Sequence, residues 1–411
     1  MSERLKFFRR LMAAFESTAD PRRAIKKGYY VAPPHNLIAE EIAGRCALRP
    51  SSAHLLFGGI GSGKTTQLLV VRGRLNELED IHAIYLDVSL YTDIADLQPG
   101  ALISIAGLEL AKLLGATDDS ELQSSKQIIE QIAYGYKERR LEPSLLTIAR
   151  AAQSLDEPRE VVVHHKGLLS TLKLKTDSKL LKAFTLLSQS VSQNSEKIIF
   201  LFDGLDRLNN PQTFLHSALN DVLKLEREGI GAVIVGSIPA IYSADRENIE
   251  QFASYSYYLS YLDPIQDIEA KQFFEHIFTV RDREGYITPE ARELLIAYSG
   301  GVLRDLMSLT QAAIQGAYVD SADTIEPEHI TNAASSLARS KLIGLSDPSL
   351  EILKQVMHDL VFYPRTKEAF QLLLTGHILE YQHPERCFVV HPILVPLIQK
   401  LTSSGSYAVN S

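Results

Sequence analysis

Cysteine is scarce in this chain: Cys46 and Cys387 are its only two, far apart in 411 residues. That rules out a disulfide framework and any site built from clustered thiolates, and it fits a reducing compartment. Long apolar runs are missing too. None approaches the ~18 residues that would cross a bilayer. The opening stretch MSERLKFFRRLMAAF mixes basic residues with Glu3 around a brief apolar core, which does not make a secretory signal. A cytoplasmic location with no membrane partner is expected. Positive charge is in deficit, 42 Lys and Arg against 50 Asp and Glu for a net charge of -8. A surface that grips nucleic acid all round is thereby excluded, although one local basic face is not. What remains is ordinary globular composition, 45% hydrophobic and 22% charged, in a chain long enough for two or three domains.

Short apolar runs bounded by Gly, Asp or Ser recur with helical stretches between them. AHLLFGG (53–59), HAIYLDVS (82–89), KIIFLFDG (197–204), GAVIVGS (231–237) and SYYLSYL (256–262) read as buried parallel strands. KTTQLLVVRGRLNEL and TFLHSALNDVLKLERE carry apolar residues at i, i+3 and i+4 and read as crossover helices. The expectation is an α/β fold with a doubly wound parallel sheet over 51–262, preceded by a helical segment over 1–50. A helical insertion spans about 90–195. Within it EVVVHHKGLLSTLKLKT suggests a hairpin turning at Lys166-Gly167. His164 and His165 are neighbours on a strand and point to opposite faces, so they do not form a metal site.

After Pro264 the strand pattern stops. Four amphipathic helices follow, with starts marked by Thr288-Pro289 and Glu326-Pro327, and are expected to form a helical lid over 263–337. In the last segment, 338–411, helices precede GHILEYQHPERCFVVHP, two β-prone runs around a His-Pro turn. That is the pattern of a small winged helix with a Ser-rich tail.

Two stretches carry chemistry. GGIGSGKTT (58–66) fits G-x-x-x-x-G-K-[ST] between a strand and a helix, the context in which backbone N–H groups cradle phosphates. Gly58, Gly59, Ile60, Gly61, Ser62, Gly63 and Thr66 would form the cradle, Lys64 would reach the β- and γ-phosphates, and Thr65 would place its hydroxyl on Mg²⁺. In FLFDGLDRL (200–208) a buried strand ends in two acids. Asp203 is the expected partner of Thr65 in holding Mg²⁺; an N-cap aspartate at a strand-to-helix turn is the alternative.

Together with AVIVGS and YSGGVLRDLMSL, these stretches resemble the AAA+ superfamily, nearest to its origin-recognition-like members and the related STAND signalling ATPases, over about residues 30–403. The resemblance implies a P-loop NTPase domain, a helical lid and a winged helix, with ATP or ADP and Mg²⁺ as cofactors. It places Ser237 where a polar sensor reads the γ-phosphate; a strand-end serine bonded to backbone is the alternative. It places Arg304 where a lid arginine reaches the phosphates, Tyr30 and Val31 of KGYYVAPP against adenine, and His391 where STAND proteins hold the ADP β-phosphate. A core or helix N-terminal histidine is the alternative for His391. The departure is Gly204, where AAA+ proteins usually carry a water-orienting glutamate and STAND proteins often read D-G-x-D-E. Here D-G-L-D-R leaves Asp206 as the only acid of the loop and so the expected catalytic acid that orients the water; an aspartate is shorter than a glutamate, so slow or partner-triggered hydrolysis is expected.

Two roles follow. One is a regulatory ATPase switch that assembles with itself, as a nucleotide-dependent homo-oligomer, or with a separate effector protein, with antiviral defence as a setting. The other is a DNA-associated AAA+ ATPase of replication or transposition using its winged helix. The balanced charge of the last segment, Arg365, Lys367 and Arg386 against Glu368, Glu380 and Glu385, gives little footprint for DNA phosphates and leaves that second role less favoured. A metabolic P-loop kinase has no use for a lid plus a winged helix.

Overall fold

The computed structural model describes residues 3–16, 21–35, 37–134, 139–140, 161–162, 177–192, 197–208, 210–242, 246–359 and 362–404. All five expected strands are present and form one parallel sheet: β1 (Ala53–Gly58), β2 (Ile81–Asp87), β3 (Lys197–Asp203), β4 (Gly231–Val235) and β5 (Tyr255–Leu259), in the order β2-β3-β4-β1-β5. Order is what periodicity cannot give. β4 inserts between the strand that feeds the glycine loop and the strand that ends in Asp203, and β2 lies outermost, with Asp87 opposite Asp203 in register. Because the strands are parallel, all their carboxyl ends fall on one edge, where ligands of open α/β sheets bind.

Near-continuous apolar strands need cover on both faces. One face is covered by helices Ala101–Leu114 and Asp177–Val191 and by the stretch Phe214–Arg227, around Phe184, Phe200, Phe202 and Phe214. The other is covered by Ile38–Leu48 and Lys64–Leu75, around Ile42, Leu68, Val71 and Leu75. The expected crossover helix over 213–228 starts as a π-turn, Phe214–Leu219, before continuing as Asn220–Arg227. The buried Asp221 carboxylate there accepts the backbone N–H groups of Gly100 and Leu102, capping the first insertion helix. The hairpin expected at Lys166-Gly167, with His164 and His165, lies outside the described residues; Val161–Val162 pairs with Arg139–Arg140.

The four lid helices are Ile268–Arg281, Pro289–Ser299, Leu303–Val319 and Pro327–Leu342; the last is continuous through the expected boundary at 337, so the division from the C-terminal unit lies after Leu342. Asp267 and Thr288 cap the first two through their side chains, as short polar residues do at helix starts. After them come helices Asp347–Asp359 and Lys367–Leu374, an antiparallel hairpin β6 (Ile378–Tyr381) and β7 (Cys387–Val390), and helix Val395–Ser404. This is the winged-helix arrangement expected, but it has no separate core. Phe274 and Leu309 of the lid, Leu353 and Ile378 of the C-terminal unit and Phe15 near the N-terminus belong to one apolar cluster. Among the described residues no helix is long and apolar enough to cross a membrane.

The hairpin is also tied to the sheet. Glu380 on β6 is buried, and its carboxylate accepts the hydroxyls of Tyr242 (2.6 Å) and Tyr258 (2.7 Å) and the Arg386 Nε–H (2.9 Å). A buried carboxylate is tolerable only with such partners. Glu380→Ala leaves two largely buried phenols without an acceptor, and the unfolding free energy should fall by about 2–4 kcal/mol in urea titration, with a smaller loss for Glu380→Gln. An unchanged midpoint would mean that the hairpin is not anchored through this carboxylate.

Candidate functional site

The glycine loop lies between β1 and the helix Lys64–Leu75 and is covered by two other parts of the chain. The Tyr261 hydroxyl, just beyond β5, donates to the Ile60 carbonyl (2.9 Å). At Gly61, with φ of +86°, a Cβ would stand 2.9 Å from the Cβ of Arg304 and 3.0 Å from Val302, and at Gly59 it would overlap the Tyr261 ring. Only glycine allows the loop to lie this close to its cover. The first turn of helix Leu303–Val319 therefore rests directly on the phosphate loop, bringing Arg304 to the site. The Tyr261 phenol feels that arrangement: burial and the nearby Asp305 push its pKa up, while the Arg304 charge opposes them.

Lys64 is buried and bound on three sides, by the carbonyls of Gly58 (3.0 Å) and Gly59 (2.8 Å) and by the Asp206 carboxylate (3.0 Å). Asp206, expected to be the water-orienting acid of its loop, is here a counter-ion for the lysine. Asp203 is buried at the end of β3. Its Oδ1 accepts the Gly204 N–H and its Oδ2 the Tyr85 hydroxyl, both at 2.8 Å. Burial raises its pKa, and the Thr65, Tyr85 and Gly204 donors counteract that. Asp203 and Thr65 are therefore neighbours. The N-cap alternative for Asp203 is not what is seen: residue 204 occupies the cap of the following 3-10 turn.

Whether these residues suit a nucleotide with its metal can be judged from buried polar atoms. The hydroxyls of Ser62 and Ser237 are both buried and neither has a hydrogen-bond partner among the described residues; the alternative for Ser237, a bond to backbone, is not met there. Unpaired buried hydroxyls are costly, and both belong to the edge where phosphate is expected. Tyr30 is half-buried, with the Gln67 side chain beside it on the phosphate-loop helix, and burial raises its phenol pKa. Val31 packs on the apolar cluster of the lid. The donor set and the cradle fit a nucleotide triphosphate and a hard divalent cation.

His391 resolves toward its second alternative. It is wholly buried; its Nδ1 accepts the Ile393 N–H (3.3 Å), and its Nε2–H donates to Asp305 Oδ2 (3.0 Å). With both ring nitrogens engaged, the expected direct contact with a β-phosphate is replaced by contact with Asp305, the residue after Arg304. Lys341 completes the set at 2.9 Å. Tyr381 on β6 donates to the Gly300 carbonyl (2.8 Å), so the wing holds the same lid turn from behind. Tyr85, Tyr261 and Asp305 were not singled out by the sequence, and Glu380 entered it only through the charge balance of the last segment. Only Asp87, at the end of IYLD, carried a usable signal, the same apolar run closing on an acid that marks Asp203.

No family model and no curated protein matches the chain. Among solved structures it is similar to Cdc6p from Pyrobaculum aerophilum (14% identity over 96% of this chain and 98% of that one, TM-score 0.45). It is similar also to the Aeropyrum pernix Orc1 protein in complex with DNA (14%, 92% and 95%, TM-score 0.42) and to the Thermotoga maritima RuvB Holliday junction branch migration motor (14%, 87% and 93%, TM-score 0.39).

The Asp305 cluster has a pH signature. Burial pushes its carboxyl up, but the His391 hydrogen bond and the Lys341 ammonium more than offset this and bring it to about 2 from 3.8. A folded pKa below the unfolded one gives stability that is present above about pH 4 and lost as pH falls toward 2. The advantage of wild type over Asp305→Asn should shrink by about 2 kcal/mol when urea titrations are taken from about pH 5 to about pH 2. A difference independent of pH would mean that these partners do not stabilise the carboxylate.

Proposed function

We propose that the chain is an ATP-binding and ATP-hydrolysing regulatory switch, in which the nucleotide sets the position of the lid and the C-terminal unit. The observation that carries this is the contact of Val302–Arg304 with Gly61: a phosphate cannot settle in the loop without being felt by the lid. Lys64 contributes charge to the β- and γ-phosphates, and phosphate competes with Asp206 for it, so Asp206 tunes affinity. Thr65 and Asp203 hold Mg²⁺, which when bound draws charge from the phosphate oxygens. Tyr85 fixes the Asp203 carboxylate. Ser237 and Arg304 read the γ-phosphate, Tyr30 and Val31 receive the adenine, and His391 acts through Asp305 on the turn that carries Arg304. A ligand shifts such an equilibrium only by binding one arrangement better, and Arg304 supplies that difference. Assembly with a second copy or a separate effector chain is the output of the switch.

The DNA-bound reading is less favoured for a physical reason. The hairpin that a winged helix would lay along a duplex is held against the sheet through Glu380, and its Arg386 is paired with that carboxylate. Few cations remain on the wing to release counterions from DNA.

Removing the lysine tests the assignment of the loop. Lys64→Ala should keep the fold and weaken ATP binding about 10²-fold, the loss expected of a charge-assisted contact worth about 3 kcal/mol. Isothermal titration with ATP and Mg²⁺ reads it, and wild-type affinity in the variant would contradict the phosphate site.

A further inference from the structure

Gly204 is the position where the resemblance expects a water-orienting acid, and the backbone there disfavours a side chain. Its φ is +86°, a left-handed conformation that L side chains rarely adopt. A Cβ at this position would lie 2.8 Å from Oδ1 of Asp87. A carboxylate thus reaches the origin of the missing side chain from the neighbouring strand. Asp87 ends β2 as Asp203 ends β3, and the two are register partners, which sets their Cα atoms about 4.8 Å apart across parallel strands. The Asp87 carboxylate is also oriented: its Oδ1 accepts the Ser89 N–H (3.0 Å) and the Ser89 hydroxyl (2.6 Å). Its Oδ2 has no hydrogen-bond partner among the described residues. Asp206, the other acid near the loop, is spent on Lys64 at 3.0 Å.

We infer that Asp87, supplied by the strand beside the Asp203 strand, is the carboxylate that orients and deprotonates the attacking water in place of an acid at position 204. The inference rests on the reading of the site as an ATPase. In the step it serves, one water proton passes to the Asp87 carboxylate and then to bulk solvent. The water oxygen forms a bond to the γ-phosphorus, the bond from that phosphorus to the β–γ bridging oxygen breaks, and its electron pair leaves with ADP. Ser89 is a positioning residue, since it touches Asp87 and acts through it. The division of labour is clear: Asp203 fixes the metal end, Asp206 balances Lys64, and Asp87 faces the water.

The test separates binding from turnover. The full chain and its Asp87→Asn, Asp87→Ala and Asp206→Asn variants are titrated with ATP and Mg²⁺ by calorimetry. They are then followed through a single turnover, and the bound nucleotide is extracted and identified at the end. Asp87→Asn and Asp87→Ala should bind ATP within about threefold of wild type, turn over ~10²–10⁴-fold more slowly, and yield extracted ATP where wild type yields ADP. Asp206→Asn should shift mainly the dissociation constant. Wild-type turnover in both Asp87 variants overturns the inference. Loss of ATP and Mg²⁺ binding in both overturns it too, because Asp87 would then hold the metal or the fold. If wild type itself binds no ATP, or binds it without turnover, the ATPase reading fails first, and that outcome is distinct from a failure confined to the Asp87 variants.

Discussion

The structure depends on the closeness of one loop to its cover. Ile60 and Gly61 are held by the Tyr261 hydroxyl on one side and by Val302 and Arg304 on the other, and the same lid turn is gripped from behind by Tyr381 and through Asp305 by His391. Three parts of the chain that are distant in sequence thereby meet within a few residues of the phosphate loop. Packed interiors are bistable more than they are elastic, because side chains interdigitate at near-crystalline density. A small displacement of Gly61 is therefore expected to move the lid turn as a unit and, with it, the wing. This is the physical basis for describing the chain as a switch, and it requires no contact between the wing and the nucleotide.

The C-terminal unit has two kinds of attachment that answer to different conditions. Its apolar part shares a cluster with the lid and with Phe15 and responds to temperature and denaturant as buried hydrocarbon does. Its polar part consists of Glu380 on Tyr242 and Tyr258, and of His391 on Asp305. Tyr242 ends the short helix Ile238–Tyr242 that begins directly after Ser237. A polar atom proposed to read the γ-phosphate and a hydroxyl that anchors the wing thus lie five residues apart on one rigid turn. Two routes, one through Arg304 and one through Ser237, run from the phosphate end of the sheet to the same hairpin.

Much of this was legible in the sequence, for reasons that differ by element. The five strands announced themselves because parallel strands buried on both faces must be continuously apolar, and Gly, Asp and Ser mark where they stop. The starts of the second and fourth lid helices were readable because Thr288-Pro289 and Glu326-Pro327 are capping pairs whose chemistry is local, whereas the end of the last helix at Leu342 has no such marker. The phosphate loop and Asp203 were readable because phosphate and a hard cation demand particular residue types at fixed spacing. Strand order was not readable, and so the meeting of Asp87 with Asp203 was hidden, although IYLD and FLFD have the same form. Tyr261, Tyr242, Tyr258 and Glu380 were hidden for another reason. A tyrosine between apolar neighbours looks like core until its hydroxyl is seen to reach a carboxylate, or for Tyr261 a backbone carbonyl, more than a hundred residues away. For His391 the family resemblance suggested a direct phosphate contact, whereas tertiary geometry engages both of its nitrogens inside the protein.

The coupling of loop, lid and wing can be measured directly. Amide hydrogen exchange of the full chain, with Mg²⁺ and with or without a non-hydrolysable ATP analogue, reports the opening of each segment separately. The account predicts that the analogue changes exchange in three places together, the loop 58–66, the lid turn 300–306 and the hairpin 376–391, and that Arg304→Ala confines the change to the loop. A change restricted to the loop in the wild-type chain, with the lid turn and hairpin indifferent to the analogue, would contradict it.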